Sequence, residues 1–151
     1  MPQTRCGFDD HQGTSGHDQL IAFGPTLNVD IGFDPNYKPS ATAVPVPGIR
    51  GIWALVDTGA TESCIDAQLA ATLNLPLINR RPIAGIGGLH QASVHLAQIH
   101  VPSLAFTIYG EFAAVDLAAG GQHHRALVGR TFLERFTMVY DGKTGNVTLS
   151  T

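Results

Sequence analysis

One aspartate in this chain stands where a carboxylate could do hydrolytic chemistry. In Ala54-Leu55-Val56-Asp57-Thr58-Gly59-Ala60 an apolar run delivers Asp57 into a tight turn. Gly59 permits the close backbone approach that such a turn requires. Thr58 adds a short hydroxyl, and Leu55 and Val56 are suited to anchor the turn in a core. A second apolar run ending in glycine, Ala126-Leu127-Val128-Gly129-Arg130, lies later in the chain. Amide hydrolysis without a metal or a covalent intermediate needs a nucleophilic water and a polarised carbonyl. Two neighbouring carboxylates supply both while sharing one proton, and they titrate as a unit. Asp30, Asp116 and Asp141 lack the Thr-Gly sequel, so the second carboxylate is expected from a second copy of the chain.

Other chemistries find less support. His90, His95 and His100 recur every five residues, a spacing that puts neighbours on opposite faces of a strand and makes a poor metal site. His123 and His124 have no Cys or acidic ligand set near them in sequence. Cys6 and Cys64 form no metal or disulfide pattern and read as free thiols of a reducing compartment. No metal and no cofactor is expected. The formal charge is -3, with no basic stripe for nucleic acid or an anionic membrane. No apolar run reaches a membrane-spanning length, and no secretory leader is visible, so a cytoplasmic setting is expected.

The elements that must position Asp57 follow from hydropathy patterning. The 151 residues suffice for one domain with a core, and 17 Gly and 9 Pro favour a turn-rich β architecture. Residues 1–19, polar and nearly free of apolar side chains, are expected to be a mobile tail, with the domain spanning 20–151. Leu27, Val29 and Ile31 alternate with polar residues as a half-buried strand, and 49–56 is the strand that ends at Asp57. Asp66 is placed to N-cap a short helix bearing Leu69 and Leu73, ended by Asn74 and Pro76. The spacing predicts a hairpin over 81–101 with Gly85, Gly87 and Gly88 at its tip. Strands are expected at 104–108, 112–117 and 126–128, a helical turn at 131–135, and a hairpin from Phe136–Tyr140 to Asn146–Leu149. The fold class is all-β with one or two short helices.

Taken in order, Asp57-Thr58-Gly59-Ala60, the tip Ile83-Ala84-Gly85-Ile86-Gly87-Gly88 and Leu127-Val128-Gly129-Arg130-Thr131-Phe132-Leu133 resemble the retropepsin-like aspartic proteases, most closely the soluble bacterial members. The resemblance covers residues 24–151. It implies an acid-protease barrel lobe that works as a homodimer, with Asp57 as the catalytic aspartate. By the same likeness Thr58 and Gly59 form an inter-subunit grip, and Gly85, Ile86, Gly87 and Gly88 form a flap tip. Ala126 to Arg130, with Gly129 and Arg130 in structural roles, would pack behind the site. By this likeness the terminal strand 146–151 is expected to hold part of the dimer. The likeness departs at Thr61, where retroviral members usually carry an acid that pairs with the arginine; here Glu62 follows, and the partner of Arg130 stays open.

These readings imply an aspartic endopeptidase that binds a peptide or protein substrate as an extended strand. Leu55, Ile83, Ile86 and Val128 are candidate pocket walls. Ala60 cannot donate a side-chain hydrogen bond to the carboxylate, so the expected activity optimum runs from mildly acidic to near neutral. The alternatives are a catalytically silent peptide-binding or dimerisation module of the same fold, and a narrow processing enzyme for which the loose N-terminal tail is a self-cleavage site. Trp53 is read as core or dimer packing.

Overall fold

The computed structural model describes residues 2–85 and 87–151. A seven-stranded sheet holds β2 (Thr26–Gly32), β3 (Ile49–Val56), β4 (Cys64–Asp66), β5 (Leu77–Gly85), β6 (Gly88–Val101), β7 (Phe106–Val115) and β8 (Ala126–Val128) in the order β2-β3-β8-β4-β7-β6-β5. β2 also pairs with β6, which closes the sheet into a barrel and leaves β5 outside as an edge. Alternation explains the inward face: Leu27, Val29 and Ile31 of β2 are buried, as are Ala54 and Val56 of β3 and Ala126 and Val128 of β8.

Most pairings are antiparallel. β3 and β8 are parallel, with Val56 opposite Val128, so two strands deliver their C-terminal ends side by side. Asp57 follows one and Gly129 the other. The short helix α2 (Ala67–Thr72) carries the expected cap, with Asp66 accepting a hydrogen bond from the Leu69 N–H at 3.1 Å. Helix α3 (Arg130–Leu133) starts directly after β8.

Residues 2–19 are folded rather than a mobile tail. β1 (Gln3–Arg5) pairs with β10 (Asn146–Ser150), Cys6 is buried, and helix α1 (Gly16–Phe23) is capped by the Ser15 hydroxyl. The segment folds through contacts with the far end of the chain. Gly7 and Gly145 approach so closely that a Cβ on Gly7 would lie 2.1 Å from the Gly145 carbonyl oxygen. The described residues hold three short α-helices, α1, α2 and α3, beside the strands.

Two further expectations change. The pieces at 104–108 and 112–117 are one strand, β7; Leu104 belongs to a 3-10 turn before it, and Gly110 (φ +120°) sits within it. The C-terminal hairpin forms as expected from β9 (Thr137–Asp141) and β10, but in the sheet order β1-β10-β9. The strand expected to hold a dimer therefore has both edges occupied within its own chain. No helix among the described residues is long and apolar enough to cross a membrane.

Candidate active site

The Asp57 turn is fixed at its backbone and open at its carboxylate. The Asp57 N–H donates to the Val128 carbonyl at 2.9 Å, tying the turn to the end of β8. The half-buried side chain accepts one hydrogen bond, from the Gly59 N–H to Oδ1 at 2.8 Å. Thr58 is exposed, and its carbonyl accepts from Arg130 Nη1 at 2.7 Å. Arg130 Nη2 donates to the Thr61 hydroxyl at 2.9 Å. The partner that the sequence left open is therefore a neutral hydroxyl plus a carbonyl. Both bonds run from the start of α3 into the turn and its following loop.

Gly129 completes this clamp. A Cβ there would lie 2.7 Å from the Glu62 carbonyl oxygen and 2.9 Å from that of Ala60, so only glycine admits the approach. Its N–H donates to the buried Ser63 hydroxyl at 3.1 Å, and the N–H groups of Arg130 and Thr131 donate to the carbonyls of Ala60 and Thr61. The apolar strand ends, the Gly-Arg turn and the first turn of α3 thus act together to hold one carboxylate in place.

Asp57 lies at a cleft of about 1100 Å³. One wall is the β5–β6 hairpin, with Arg81, Ile83, His90 and Ala92; the apolar floor includes Cys64, Ala113 and Leu127. Ile83 lines the cleft. Leu55 and Val128 do not: Val128 is fully buried in the core, and Leu55 packs towards Gly24. Strand alternation puts Leu127, not Val128, on the cleft side. The hairpin closes with Gly85 opposite Gly88, and Gly87 and Gly88 both have positive φ. Ile86, expected at the flap tip and as a pocket wall, lies outside the described residues. Glu62 and Asp116 also line the cleft, both as exposed residues.

Three buried groups on the elements around the Asp57 turn, Asp66, His124 and Cys64, were only partly legible in the sequence. Asp66 is 1 % exposed and receives the N–H groups of Leu69, Leu117 and Ala118 and the Arg125 guanidinium at 3.2 Å. Burial pushes its carboxyl up. The hydrogen bonds from Ala118 and Leu69, the charge of Arg125 and the bond from Leu117 outweigh that and leave it below the usual carboxylate range. Its capping role was readable; its ion pair with Arg125, far along the chain, was not. Buried His124 makes a hydrogen bond with Thr26 Oγ1 at 2.8 Å and packs on Trp53 with ring centroids 5.7 Å apart. Burial, with the neighbouring His123, lowers its pKa. Burial pushes the Cys64 thiol up to about 12, against a backbone hydrogen bond with Leu127 and reinforced by the charge of Asp57. No group of three or more His, Cys, Asp or Glu suited to a metal ion occurs among the described residues.

A family model described as aspartyl protease matches residues 43–132, more than half of the chain and the whole stretch from before β3 to α3. This chain belongs to the aspartyl protease family. Among solved structures, a retropepsin-like aspartic protease from Rickettsia conorii is similar over 97 % of this chain and 89 % of that one, at 15 % identity and a TM-score of 0.52. The EIAV protease complexed with the inhibitor HBY-793 is similar over 74 % of this chain and 86 % of that one, at 18 % identity and a TM-score of 0.48. The fold of this family member is thus retropepsin-like, as the β-barrel with its short helices also shows. Among curated proteins, none matches the chain.

Proposed function

We propose that the protein is an aspartic endopeptidase whose catalytic dyad is made by Asp57 from each of two copies. The observation that carries this reading is the contrast between a clamped backbone and a carboxylate held by a single hydrogen bond, at the edge of a large cleft. Such a group is positioned yet keeps lone pairs for a water and a proton. In the dyad one Asp57 takes a proton from the water as it attacks the scissile carbonyl. The other, protonated, donates to the carbonyl oxygen and stabilises the tetrahedral intermediate. Proton transfer to the amide nitrogen then releases the two peptide ends.

The cleft favours an extended peptide. β5 and β6 offer a long hairpin wall, and Ile83, Ala92, Ala113 and Leu127 offer apolar surface for alternate side chains. In this reading Gly85–Gly88 is the flap, and Thr58 and Gly59 are the grip between copies. Glu62 and Asp116 lie on the cleft, but both are exposed and neither follows the strand ends that clamp the Asp57 turn. They are not the second member of the dyad.

The test is cleavage of a diverse peptide library, read by mass spectrometry between about pH 4 and pH 7.5, a window that brackets the optimum argued from Ala60. Cuts by the wild type that vanish in Asp57→Asn and persist in Glu62→Gln and Asp116→Asn support the reading. Cuts that survive Asp57→Asn would contradict it. A dimer that binds peptides and never cuts them would establish the silent binding module instead.

A further inference from the structure

Most arginines of this chain are used by the fold. Arg5, Arg50 and Arg125 pair with Asp9, Asp30 and Asp66. Arg130 holds the Asp57 turn, and Arg135 lies over the Phe106 ring. Arg80 and Arg81 differ. Among the described residues no ion pair or side-chain hydrogen bond engages either, and both border the Asp57 cleft.

Strand geometry separates the two. Arg81 and Ile83 share one face of β5, and the register sets Ala92 opposite Arg81 and His90 opposite Ile83. That face looks onto the apolar floor, because Ile83 packs against the cluster of Cys64, Ala92 and Ala113. Arg80 projects from the other face and is exposed, whereas Arg81 is half-buried. A guanidinium therefore stands beside apolar surface, partly withdrawn from water, with no counter-charge. Glu62 and Asp116 border the same cleft, yet neither pairs with it. Such a cation has lost part of its hydration and gained nothing in return.

We propose that Arg81 is a specificity-determining residue, whose guanidinium receives the side-chain carboxylate of an aspartate or glutamate in the peptide bound along the cleft. This rests on the peptide-cleaving reading above, and not on where the second carboxylate of the dyad comes from. The planar fork of arginine matches a carboxylate through two parallel hydrogen bonds. The apolar surroundings strengthen that pair, and Ile83 and Ala92 offer surface to the methylene groups of the incoming side chain. A lysine or arginine at the same substrate position meets a like charge and is rejected. The preferred substrate is thus acidic close to the scissile bond.

End-blocked peptides test the subsite. A sequence that the wild type cuts carries Glu, Gln or Lys in turn at each position around the cut, at about pH 6.5, where a Glu side chain is ionised. At one or more positions kcat/KM should be at least about 10-fold higher for Glu than for Gln, the size of a charge-assisted hydrogen bond, and lower still for Lys. Arg81→Gln should bring the Glu-to-Gln ratio to about one, and Arg81→Glu should reverse the order of Glu and Lys. Arg80→Gln, which removes the same charge from the other face, should keep the wild-type ratio. Each ratio is internal to one variant, so a loss of folded protein does not move it. A wild-type ratio near one at every position would overturn the proposal. So would a Glu preference that survives Arg81→Gln, or one lost equally in Arg80→Gln. A preference for acid seen only with a free peptide C-terminus would assign Arg81 to the chain end and overturn the side-chain role. Should no peptide be cut, the catalytic reading fails, and fluorescence anisotropy still decides the subsite. A labelled, end-blocked peptide of alternating Leu and Ala with one central Glu should then bind at least about 10-fold more tightly than its Gln twin, and lose that margin in Arg81→Gln. Equal affinities would overturn the subsite.

Discussion

Asp57 and Asp66 lie nine residues apart in sequence and are treated in opposite ways. Asp66 is buried, and three backbone N–H groups and a guanidinium converge on its carboxylate. It ties the start of α2, the end of β7 and the start of β8 into one junction. Asp57 is half-buried, its turn is fixed by backbone bonds, and its carboxylate accepts one hydrogen bond. In the proposed function, the difference separates a carboxylate that builds the fold from one left for chemistry. A saturated acid has no lone pair to offer a water; an acid on a clamped turn does.

The same isosteric change at both positions should give opposite results. Asp57→Asn should lower cleavage by about 10⁴-fold, the upper range for a group handling the reacting protons, while shifting stability by no more than about 0.5 kcal/mol. Asp66→Asn should cost about 3 kcal/mol, because it leaves Arg125 without its counter-charge and turns an amide NH₂ towards buried donors. The folded fraction of that variant should cut at the wild-type rate. Urea titration and single-turnover kinetics on both variants check the pair. A stable Asp66→Asn protein, or a destabilised Asp57→Asn one, would break the distinction.

A smaller effect sharpens it. Gly129→Ala forces a Cβ against the carbonyls of Glu62 and Ala60 and should cost about 2 kcal/mol through overpacking. The strain lands on the loop that carries Asp57, so kcat should fall while KM moves little. A loss of stability with kcat unchanged would mean that the clamp does not position the acid.

The smallest effect is a pH dependence of stability. Asp66 has its folded pKa below the ordinary value, so its contribution is complete above about pH 4 and is lost as pH falls through and below that value. His124 is held neutral, with its folded pKa below the ordinary value, so its contribution is complete above about pH 6.5 and is lost as pH falls from there. Urea midpoints measured against pH should decline in two steps, and Asp66→Asn should flatten the lower one only. A stability that rises on acidification through either range would contradict the assignment.

The parts of this fold that were legible in the sequence are those governed by local patterning. The alternation of Leu27, Val29 and Ile31 and the cap at Asp66 needed no knowledge of distant residues, and β2 and α2 form where these signals stand. The order of the N-terminal segment is not legible locally, because it comes from pairing with β10 at the other end of the chain. One local signal was there: Ser15-Gly16-His17-Asp18 sets a capping hydroxyl three residues before the N–H it accepts. At the site, the Asp57 turn stood out because a carboxylate between an apolar run and a glycine is locally unusual. Arg130 stood out too, but its acceptors, the Thr58 carbonyl and the Thr61 hydroxyl, depend on how α3 docks. For Leu55 and Val128 the sequence does not decide, because apolar residues near the Asp57 turn suit either a pocket or a core, and only the register of β3 on β8 separates the two.

The central claim is that each active site takes one Asp57 from each of two copies. Wild type and Asp57→Asn mixed in varying ratio at constant total protein, equilibrated and assayed for cleavage, test it most directly. If both copies contribute to one site, mixed dimers are silent and activity follows the square of the wild-type fraction. Activity strictly proportional to the wild-type fraction would show that a single chain carries a complete site, and would contradict the account.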